Sequence, residues 1–376
     1  MARINDKEDR SGESRVGKFQ RLAEDLRELL QSGAFDVGER FFSEHMLCRK
    51  YDVSRQTVRK ALQTLEDEGL IERVQGSGTY VKELLIRETK KRSMNVAVIV
   101  TYLSDYIFPV ILKEMEKVFT ASGYFMSLFS TGNSVARERE ILRAISSKEI
   151  DGLILEPTKS ALPNPNLALY QQMEKNGVPI VFIPAAYPAL DAPLVALNDQ
   201  AAGKLATRAL IEKSHTKIGA LLKADDLQGH ERYAGIMEAL YEAGLKINDE
   251  NFYWYTTEDL PFSQEEGLAI IERVRDCTGI VTYNDNVALQ AMAYFEQAGI
   301  DVPVDLSISS IDDSKWAQYG RIRLTSVHNP LEELGETAAK HLLNRIDDEN
   351  YSAGVRFEPR LVERESIRSM VDRTIM

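Results

Sequence analysis

Residues 53–62, Val-Ser-Arg-Gln-Thr-Val-Arg-Lys-Ala-Leu, predict a helix with two chemically different faces. Ser54 is a favourable N-cap, and apolar residues recur behind it at helical spacing. The apolar stripe consists of Val58, Ala61, Leu62 and Leu65, and the other face carries Arg55, Gln56, Arg59 and Lys60. No acid follows until Glu66, whereas an ordinary solvated face mixes charges sooner. The basic face therefore favours contact with a polyanion.

The flanking segments complete a small domain over residues 18–81. An amphipathic helix is predicted at 19–31, a short helix begins at Ser43, and Gly69 ends the helix described above. Two β-favouring runs then flank Gln-Gly-Ser-Gly at 75–78, which predicts a hairpin. Three helices and a hairpin are the order of a winged helix-turn-helix, whose third helix enters the major groove of DNA. In the major groove, an arginine side chain can form hydrogen bonds with guanine, and a glutamine side chain can form them with adenine.

This domain resembles the GntR-type winged helix. The resemblance rests on 53–62, on Glu68-Gly69-Leu70-Ile71 and on 75–81. It departs from the family before the second helix, where Leu-Pro-Ser-Glu-Arg is common and this chain has Phe-Phe-Ser-Glu-His at 41–45. The candidate DNA contacts are Glu44, His45, Arg55, Gln56, Thr57, Arg59, Lys60, Gln75 and Gly76. The alternative is that these charges only keep the helix soluble and that the glycines only make a turn.

From Met94 onward, apolar runs alternate with helical stretches, which indicates βαβ units. Predicted strands are 95–100, 124–130, 152–155, 179–183, 218–222, 279–283 and 306–311. Predicted helices are 109–121, 135–148, 199–213, 229–243, 263–276, 286–298 and 331–347. Fully apolar strands need both sheet faces covered, so we expect an α/β, two-lobed, doubly wound parallel-sheet domain at 94–376. Residues 1–17 are expected to be a disordered lead-in and 82–93 a linker.

Polar and aromatic side chains follow the predicted strands, where ligands bind in doubly wound sheets. Carboxylates, arginine and asparagine can bridge sugar hydroxyls, and aromatic rings can cover the C–H face of a sugar. The candidates are Tyr102, Tyr106, Phe108, Glu156, Lys159, Tyr187, Lys223, Asp226, Arg232, Asn284, Asp285 and Asp312. Alternatively, Tyr106 and Phe108 belong to the core, Asp225 and Asp226 cap the helix that follows them, and Asp285 caps the helix at 286–298.

The predicted domain at 94–376, called the body below, is similar to the effector domain of LacI/GalR regulators. That domain is itself similar to periplasmic sugar-binding proteins. The similarity rests on Asp-Gly-Leu-Ile at 151–154, Thr-Tyr-Asn-Asp-Asn-Val-Ala at 282–288 and 307–313. It implies a periplasmic-binding-protein-like fold and a sugar ligand. By this resemblance Arg232, Asn284 and Asp312 match ligand-contacting positions.

A GntR-type head on a LacI/GalR-type body is an uncommon pairing. Together with 101–109, 156–161 and 223–229, it resembles the family of arabinose repressors. The resemblance implies L-arabinose as effector and operators of pentose catabolism genes as targets. We expect a homodimer that binds double-stranded operator DNA and is held together by residues 94–376, because the small head offers little spare apolar surface. Effectors left open are another sugar or a nucleoside.

Composition and charge restrict the function further. The net charge of −12 divides into +2 for residues 1–93 and −14 for the rest, and no apolar run approaches the roughly 20 residues of a membrane span. The first 17 residues carry four bases, four acids and no apolar segment, so we expect no signal peptide and a cytoplasmic protein. Cys48 and Cys277 lack metal-ligand spacing, so neither a disulfide framework nor a metal site is expected.

An enzyme is the main rival class, for example a GntR head fused to a body that uses pyridoxal phosphate. Gly33–Gly38 has the spacing of a phosphate loop but continues with Glu39 rather than lysine, and no nucleophile elbow or His-Glu-x-x-His motif occurs. We therefore expect no enzymatic activity and no cofactor. An exported sugar receptor is a second rival, but it would not explain the head.

Overall fold

The computed structural model describes residues 18–31, 35, 38–74, 77–82, 92–103, 106–146 and 148–371. The chain divides between Arg92 and Ser93 into two compact units, a head and a body. The predicted lead-in at 1–17 and most of the predicted linker at 82–93 lie outside the described residues.

The head contains three helices and a two-stranded antiparallel wing. Its elements are α1 (Lys18–Gln31), α2 (Glu44–Tyr51), α3 (Arg55–Asp67), β1 (Ile71–Val74) and β2 (Gly78–Val81). Ser43 and Ser54 each accept a backbone N–H of the helix that follows, as N-caps do. The fully buried Leu26 of α1, Leu47 of α2 and Leu62 of α3 meet in a single core. The predicted winged helix-turn-helix order is confirmed.

The body has two lobes, each built on a parallel sheet. The N-terminal lobe contains β3 (Asn95–Val100), α4 (Phe108–Ala121), β4 (Phe125–Ser130), α5 (Val135–Ser146), β5 (Gly152–Leu155), α6 (Leu167–Lys175) and β6 (Ile180–Phe182). Its strand order is β4-β3-β5-β6. Apolar clusters cover both faces of this sheet, as fully apolar strands require.

The chain then crosses to the C-terminal lobe through β7 (Val195–Leu197). That lobe contains α7 (Asp199–Glu212), β8 (Ile218–Lys223), α8 (Leu227–Glu242), β9 (Phe252–Tyr255), α9 (Gln264–Val274), β10 (Gly279–Thr282), α10 (Asp285–Gln297), β11 (Ser307–Asp312), α11 (Lys315–Tyr319) and β12 (Thr325–His328). Single turns of 3-10 helix lie at Asp249–Asn251 and Thr257–Asp259.

The chain passes between the lobes twice more. Helix α12 (Leu331–Asp347) returns to the N-terminal lobe, where it packs on α4. Strand β13 (Val355–Phe357) then pairs with β7, and β14 (Arg360–Val362) joins the second sheet as its antiparallel edge. The second sheet has the order β14-β12-β11-β10-β8-β9. The predicted α/β two-lobed fold is confirmed.

The predicted elements occur close to their expected bounds, but the prediction missed the short ones. It lacked strands β7, β9, β12, β13 and β14 and helices α6 and α11. Several of these have only three or four residues, too few to show a sheet period. Because β9 and β12 were not predicted, the residues at their ends, which line the cavity described next, were not among the predicted site residues.

Candidate functional site

A cavity of about 360 Å³ lies between the two lobes of the body. The carboxyl ends of strands from both sheets supply its polar wall, as the doubly wound fold predicts. Residues at or just after these ends that line the cavity are Thr101, Glu156, Lys223, Tyr255, Tyr283, Asp312 and Asn329. Phe108 and Ile111 of α4 add apolar surface from the N-terminal lobe.

Arg232 of α8 is a buried cation held by fixed partners. Its Nε donates to Asp199 Oδ1 at 2.7 Å, and its Nη1 donates to the carbonyl oxygen of Tyr283. The guanidinium lies 4.6 Å from the centre of the Tyr283 ring. Burial opposes its charge, but Asp199 and Asp312 outweigh that effect and raise the pKa of Arg232. The cavity therefore contains a permanent positive charge with little freedom to move.

Close packing of α7 against α8 fixes the position of Arg232. A Cβ added to Gly203 would lie 2.1 Å from the carbonyl oxygen of Arg232, and one added to Gly235 would lie 1.9 Å from that of Gln200. The two helix backbones approach too closely for any larger side chain. Asp199 begins α7, so the same packing places it beside the guanidinium.

Asp312, at the end of β11, joins the two lobes. Its Oδ2 accepts a hydrogen bond of 2.6 Å from the Tyr106 hydroxyl, which comes from the N-terminal lobe. Its Oδ1 accepts from Asn329 Nδ2 at 3.2 Å and lies 3.9 Å from Arg232 Nη2. Burial raises the pKa of Asp312, and Arg232 partly counteracts this. Asp312 has a φ of 108°, a strained conformation of the kind found at functional sites.

Two further ionisable side chains, Lys223 and Glu156, face the cavity. Lys223 Nζ donates to Asp226 Oδ2 at 2.6 Å. Burial opposes the charge of this lysine, but Asp226 and Asp225 raise its pKa. The Glu156 carboxylate accepts the Thr101 N–H, and burial nevertheless raises the pKa of Glu156 to about 8. The cavity thus contains acidic and basic groups that together can donate to and accept from several hydroxyls.

Two buried polar atoms at the cavity have no hydrogen-bond partner among the described residues. They are the hydroxyl of Tyr255, at the end of β9, and Oδ1 of Asn329, after β12. A buried polar group without a partner is costly, so such atoms mark places where a ligand can bond. Sequence reasoning missed both residues, together with Tyr283 and Gln228. The run Phe-Tyr-Trp-Tyr at 252–255 was the available signal for β9.

In the head, the basic face of α3 is exposed as predicted. The Arg55 and Arg59 side chains are 72% and 58% exposed, while the apolar stripe is buried. Both arginines donate to Glu44 of α2, at 2.8 and 3.0 Å. Burial opposes the charge of Glu44, but the hydrogen bonds and charges of the two arginines together outweigh it and lower the pKa of Glu44. The carboxylate therefore holds two arginine side chains side by side on one surface.

The other predicted DNA contacts surround this pair. Gln56 and Lys60 are exposed on α3, and Lys60 Nζ lies 5.7 Å from the centre of the Phe19 ring. Thr57 bonds the cap residue Ser54. His45 accepts from Arg49. The predicted contacts Gln75 and Gly76, at the tip of the wing, lie outside the described residues.

Comparison with known proteins gives matches to both units. Residues 18–81 match the gntR family of bacterial regulatory proteins, and residues 207–367 match a periplasmic binding protein-like domain. An arabinose metabolism transcriptional repressor of Halalkalibacterium halodurans is 38% identical over 86% of this chain and 89% of its own length. The chain belongs to the family of arabinose metabolism transcriptional repressors. A repressor of the same name from Geobacillus stearothermophilus is 32% identical over 95% of this chain and all of its own length.

A solved structure of a transcription regulator also resembles this chain. The transcription regulator CcpA of Lactococcus lactis superposes with a TM-score of 0.65 at 25% identity, over 74% of this chain and all of that one. The curated relatives of this repressor are regulators rather than enzymes. Within the described ranges, no helix is both long and apolar enough to cross a bilayer, and no cluster of ligating side chains is arranged to hold a metal ion.

Nine of the twelve predicted ligand residues of this repressor line the cavity. They are Tyr102, Tyr106, Phe108, Glu156, Lys223, Asp226, Arg232, Asn284 and Asp312. Asn284 also caps α10, where its side chain accepts the Val287 N–H at 3.0 Å. Tyr106 and Phe108, for which a place in the core was the alternative, both line the cavity.

The remaining three lie elsewhere, for identifiable physical reasons. The Tyr187 hydroxyl lies in the core of the N-terminal lobe, where it donates to Glu138. Asp285 lies behind the cavity wall and accepts from the Ser314 N–H and the Ser326 hydroxyl. Lys159 pairs with Glu258 across the lobes, outside the cavity. None of these three residues lines the cavity.

Proposed function

We propose that this repressor binds operator DNA through its winged helix and that L-arabinose, bound in the cavity, releases it. The cavity between the lobes is the observation that carries the proposal. Arg232 and Asp312 present opposite charges on one wall, and Lys223 and Asp226 present another pair. A sugar ring offers hydroxyls in several directions, and such pairs can satisfy both their donor and acceptor sides.

The size and the apolar surface of the cavity also suit a small sugar. Its volume of about 360 Å³ lies at the lower end of small-molecule sites. Phe108 and the rings of Tyr255 and Tyr283 offer apolar surface for the C–H groups of a sugar ring. The arabinose metabolism repressors among the relatives support L-arabinose as the effector.

We further propose that the protein acts as a homodimer through its body. The heads of a dimer can then reach two half-sites one helical turn, or a multiple, apart. Arg55 and Arg59 are the proposed contacts to bases, because they are exposed side by side on α3. Sedimentation of the full chain tests the dimer. A monomer at micromolar concentration would contradict it.

Sugar binding can control the heads only if it favours one arrangement of the lobes over another. Tyr106 and Asp312 meet from opposite lobes, so a sugar that contacts both has a means of favouring the arrangement in which they meet. Shifting a two-state equilibrium from 1:99 to 99:1 needs about 5.5 kcal/mol of differential binding. A few hydrogen bonds to charged groups, worth about 1.5–3 kcal/mol each, can supply that amount.

Calorimetric titration with L-arabinose, D-xylose, D-ribose, D-galactose and D-glucose tests the effector. D-Galactose is the sharpest comparison, because it differs from L-arabinose by one added hydroxymethyl group. We expect saturable binding that is tightest for L-arabinose. Tighter binding of another sugar, or no binding of any, would contradict the proposed effector.

A further inference from the structure

A short loop of the N-terminal lobe, residues 158–161, reaches across to the C-terminal lobe; we call it the bridging loop. Its first half is fixed to its own lobe. The Tyr187 hydroxyl, whose one proton faces both Glu138 and this loop, lies 2.8 Å from the carbonyl oxygen of Thr158, and the Lys159 N–H donates to Asn133 Oδ1 at 2.7 Å. Thr158 is fully buried, and Lys159 has a φ of 47°. The loop is therefore held in one conformation before it meets the other lobe.

Its second half makes polar contacts across the lobes. The Leu227 N–H donates to Ser160 Oγ at 2.8 Å, and the Ala161 N–H donates to the carbonyl oxygen of Asp225 at 3.2 Å. The Lys159 ammonium pairs with Glu258. None of Lys159, Ser160 and Ala161 is among the residues that line the cavity. These contacts therefore join the lobes without any direct approach to a ligand.

Ser160 accepts the first backbone N–H of α8, a helix whose own N-cap side chain makes no capping bond. The first backbone N–H groups of a helix have no partner within it, and a side chain of the N-cap residue normally accepts one. The side chain of Asp226, the N-cap of α8, makes no such bond. Its carboxylate instead accepts a hydrogen bond from the Lys223 ammonium. Ser160 of the opposite lobe instead accepts the Leu227 N–H. A residue of the opposite lobe therefore bonds the first turn of α8, the helix that carries Arg232.

The Lys159 ammonium also lies near a buried carboxylate of the other lobe, 3.8 Å from Asp225 Oδ2. The Asp225 side chain is 1% exposed. Its Oδ2 accepts the Thr257 N–H at 3.1 Å, but its Oδ1 has no hydrogen-bond partner among the described residues. Lys223 of the same lobe and Lys159 of the other each lie 3.8 Å from this carboxylate. Contact between the lobes therefore brings a second cation to a buried acid, where its attraction is little screened.

We propose that Ser160 and Lys159 are positioning residues that set the effector affinity by stabilising the arrangement in which the lobes meet. They act through the first turn of α8 and through Asp225, and they do not touch the sugar. The inference rests on the proposed function, because it assigns a regulatory device to that same cavity. A protein whose binding-competent arrangement is only partly populated binds its ligand more weakly by that fraction. Loss of a contact made by the bridging loop must then lower the binding affinity of every ligand of the cavity by the same factor.

Calorimetry on the full chain tests this with L-arabinose and D-galactose as probes. We expect Ser160→Ala to lower the affinity for each sugar by about fivefold, which is the effect of one lost hydrogen bond. The ratio of the two dissociation constants should stay that of the wild type. Ser160→Thr, which keeps the hydroxyl, should restore the affinity. Lys159→Met should also lower the affinity for both sugars. Added salt should reduce the difference in affinity between this variant and the wild type, because salt screens the attraction that the variant lacks.

Ser122→Ala and Lys148→Met are the matched controls, because both residues are exposed in the same lobe and away from the cavity. Thermal unfolding without sugar checks that each variant is folded. Unchanged affinity in both Ser160→Ala and Lys159→Met would overturn the inference and leave the proposed function standing. A changed ratio between the sugars would also overturn it, because that marks direct contact. Failure of the wild type to bind either sugar would overturn both.

Discussion

Replacement of Asp312 separates sugar binding from DNA binding. The carboxylate accepts from Tyr106 and Asn329 and lies 3.9 Å from Arg232. Asp312→Ala leaves a hydroxyl and an amide without an acceptor, and it leaves the guanidinium with only one of its two carboxylates. A hydrogen bond to a charged group contributes about 1.5–3 kcal/mol, so sugar binding should weaken by about 10- to 150-fold. Asp312→Asn keeps one acceptor and should show a smaller loss.

The stability of the Asn variant provides the control. Burial raises the pKa of Asp312 in the folded chain, and Arg232 only partly opposes this. The stability contributed by such a group is complete below its unfolded pKa and is lost as pH rises through the folded pKa. The neutral amide avoids that loss, so Asp312→Asn should unfold at no lower temperature than the wild type at neutral pH.

Calorimetry with L-arabinose and operator binding without sugar should be measured on the same preparations of both variants. We expect weakened sugar binding with unchanged operator affinity, because the head is untouched. Wild-type sugar affinity in both variants would refute the assignment of Asp312 to the site. It would also weaken the assignment of Arg232, which rests on the same resemblance.

Three further predictions follow from individual contacts. Arg55→Ala and Arg59→Ala should each weaken operator binding by about 1–3 kcal/mol in a gel-shift assay at fixed salt, with little change in melting temperature. Unchanged operator affinity in both variants would exclude α3 as the helix that contacts the bases. Burial raises the pKa of Glu156 to about 8, so its stabilising contribution is lost as pH rises from its ordinary pKa towards that value. Glu156→Gln should therefore gain stability over the wild type by about 1.4 kcal/mol per pH unit across that window, and a pH-independent difference in chemical unfolding would contradict this. Gly235→Ala forces α8 from α7 and should cost about 1–3 kcal/mol of unfolding free energy, whereas an unchanged melting temperature would show that the helices separate freely.

Local patterns predicted the elements that their own residues determine. Helix α3 follows from Ser54 as cap and from four apolar residues at helical spacing, and the structure has the same cap and the same buried stripe. Long apolar strands such as β3 were equally clear, because both of their faces are buried. Arg232 and Asp312 were reached through a family resemblance, and both line the cavity.

Non-local contacts decided what the sequence did not predict. A position after a strand was taken as evidence for a ligand contact, yet Tyr187 and Lys159 follow strands and do not line the cavity. Tyr187 bonds a buried carboxylate, Glu138, that lies 49 residues away in the chain. Lys159 has a positive φ and pairs with Glu258, 99 residues away. Tyr255 was missed because its four-residue strand is too short to be recognised from its pattern.

We expect a sugar in the cavity of the body to control the binding of DNA by the head. The most direct test of this control is an anisotropy titration, in which L-arabinose is added at fixed salt to the full chain bound to a labelled operator. We predict that the operator is released and that the midpoint follows the calorimetric sugar affinity, with release lost in Asp312→Ala. Saturating sugar that leaves the operator bound, or equal release in that variant, would contradict the claim.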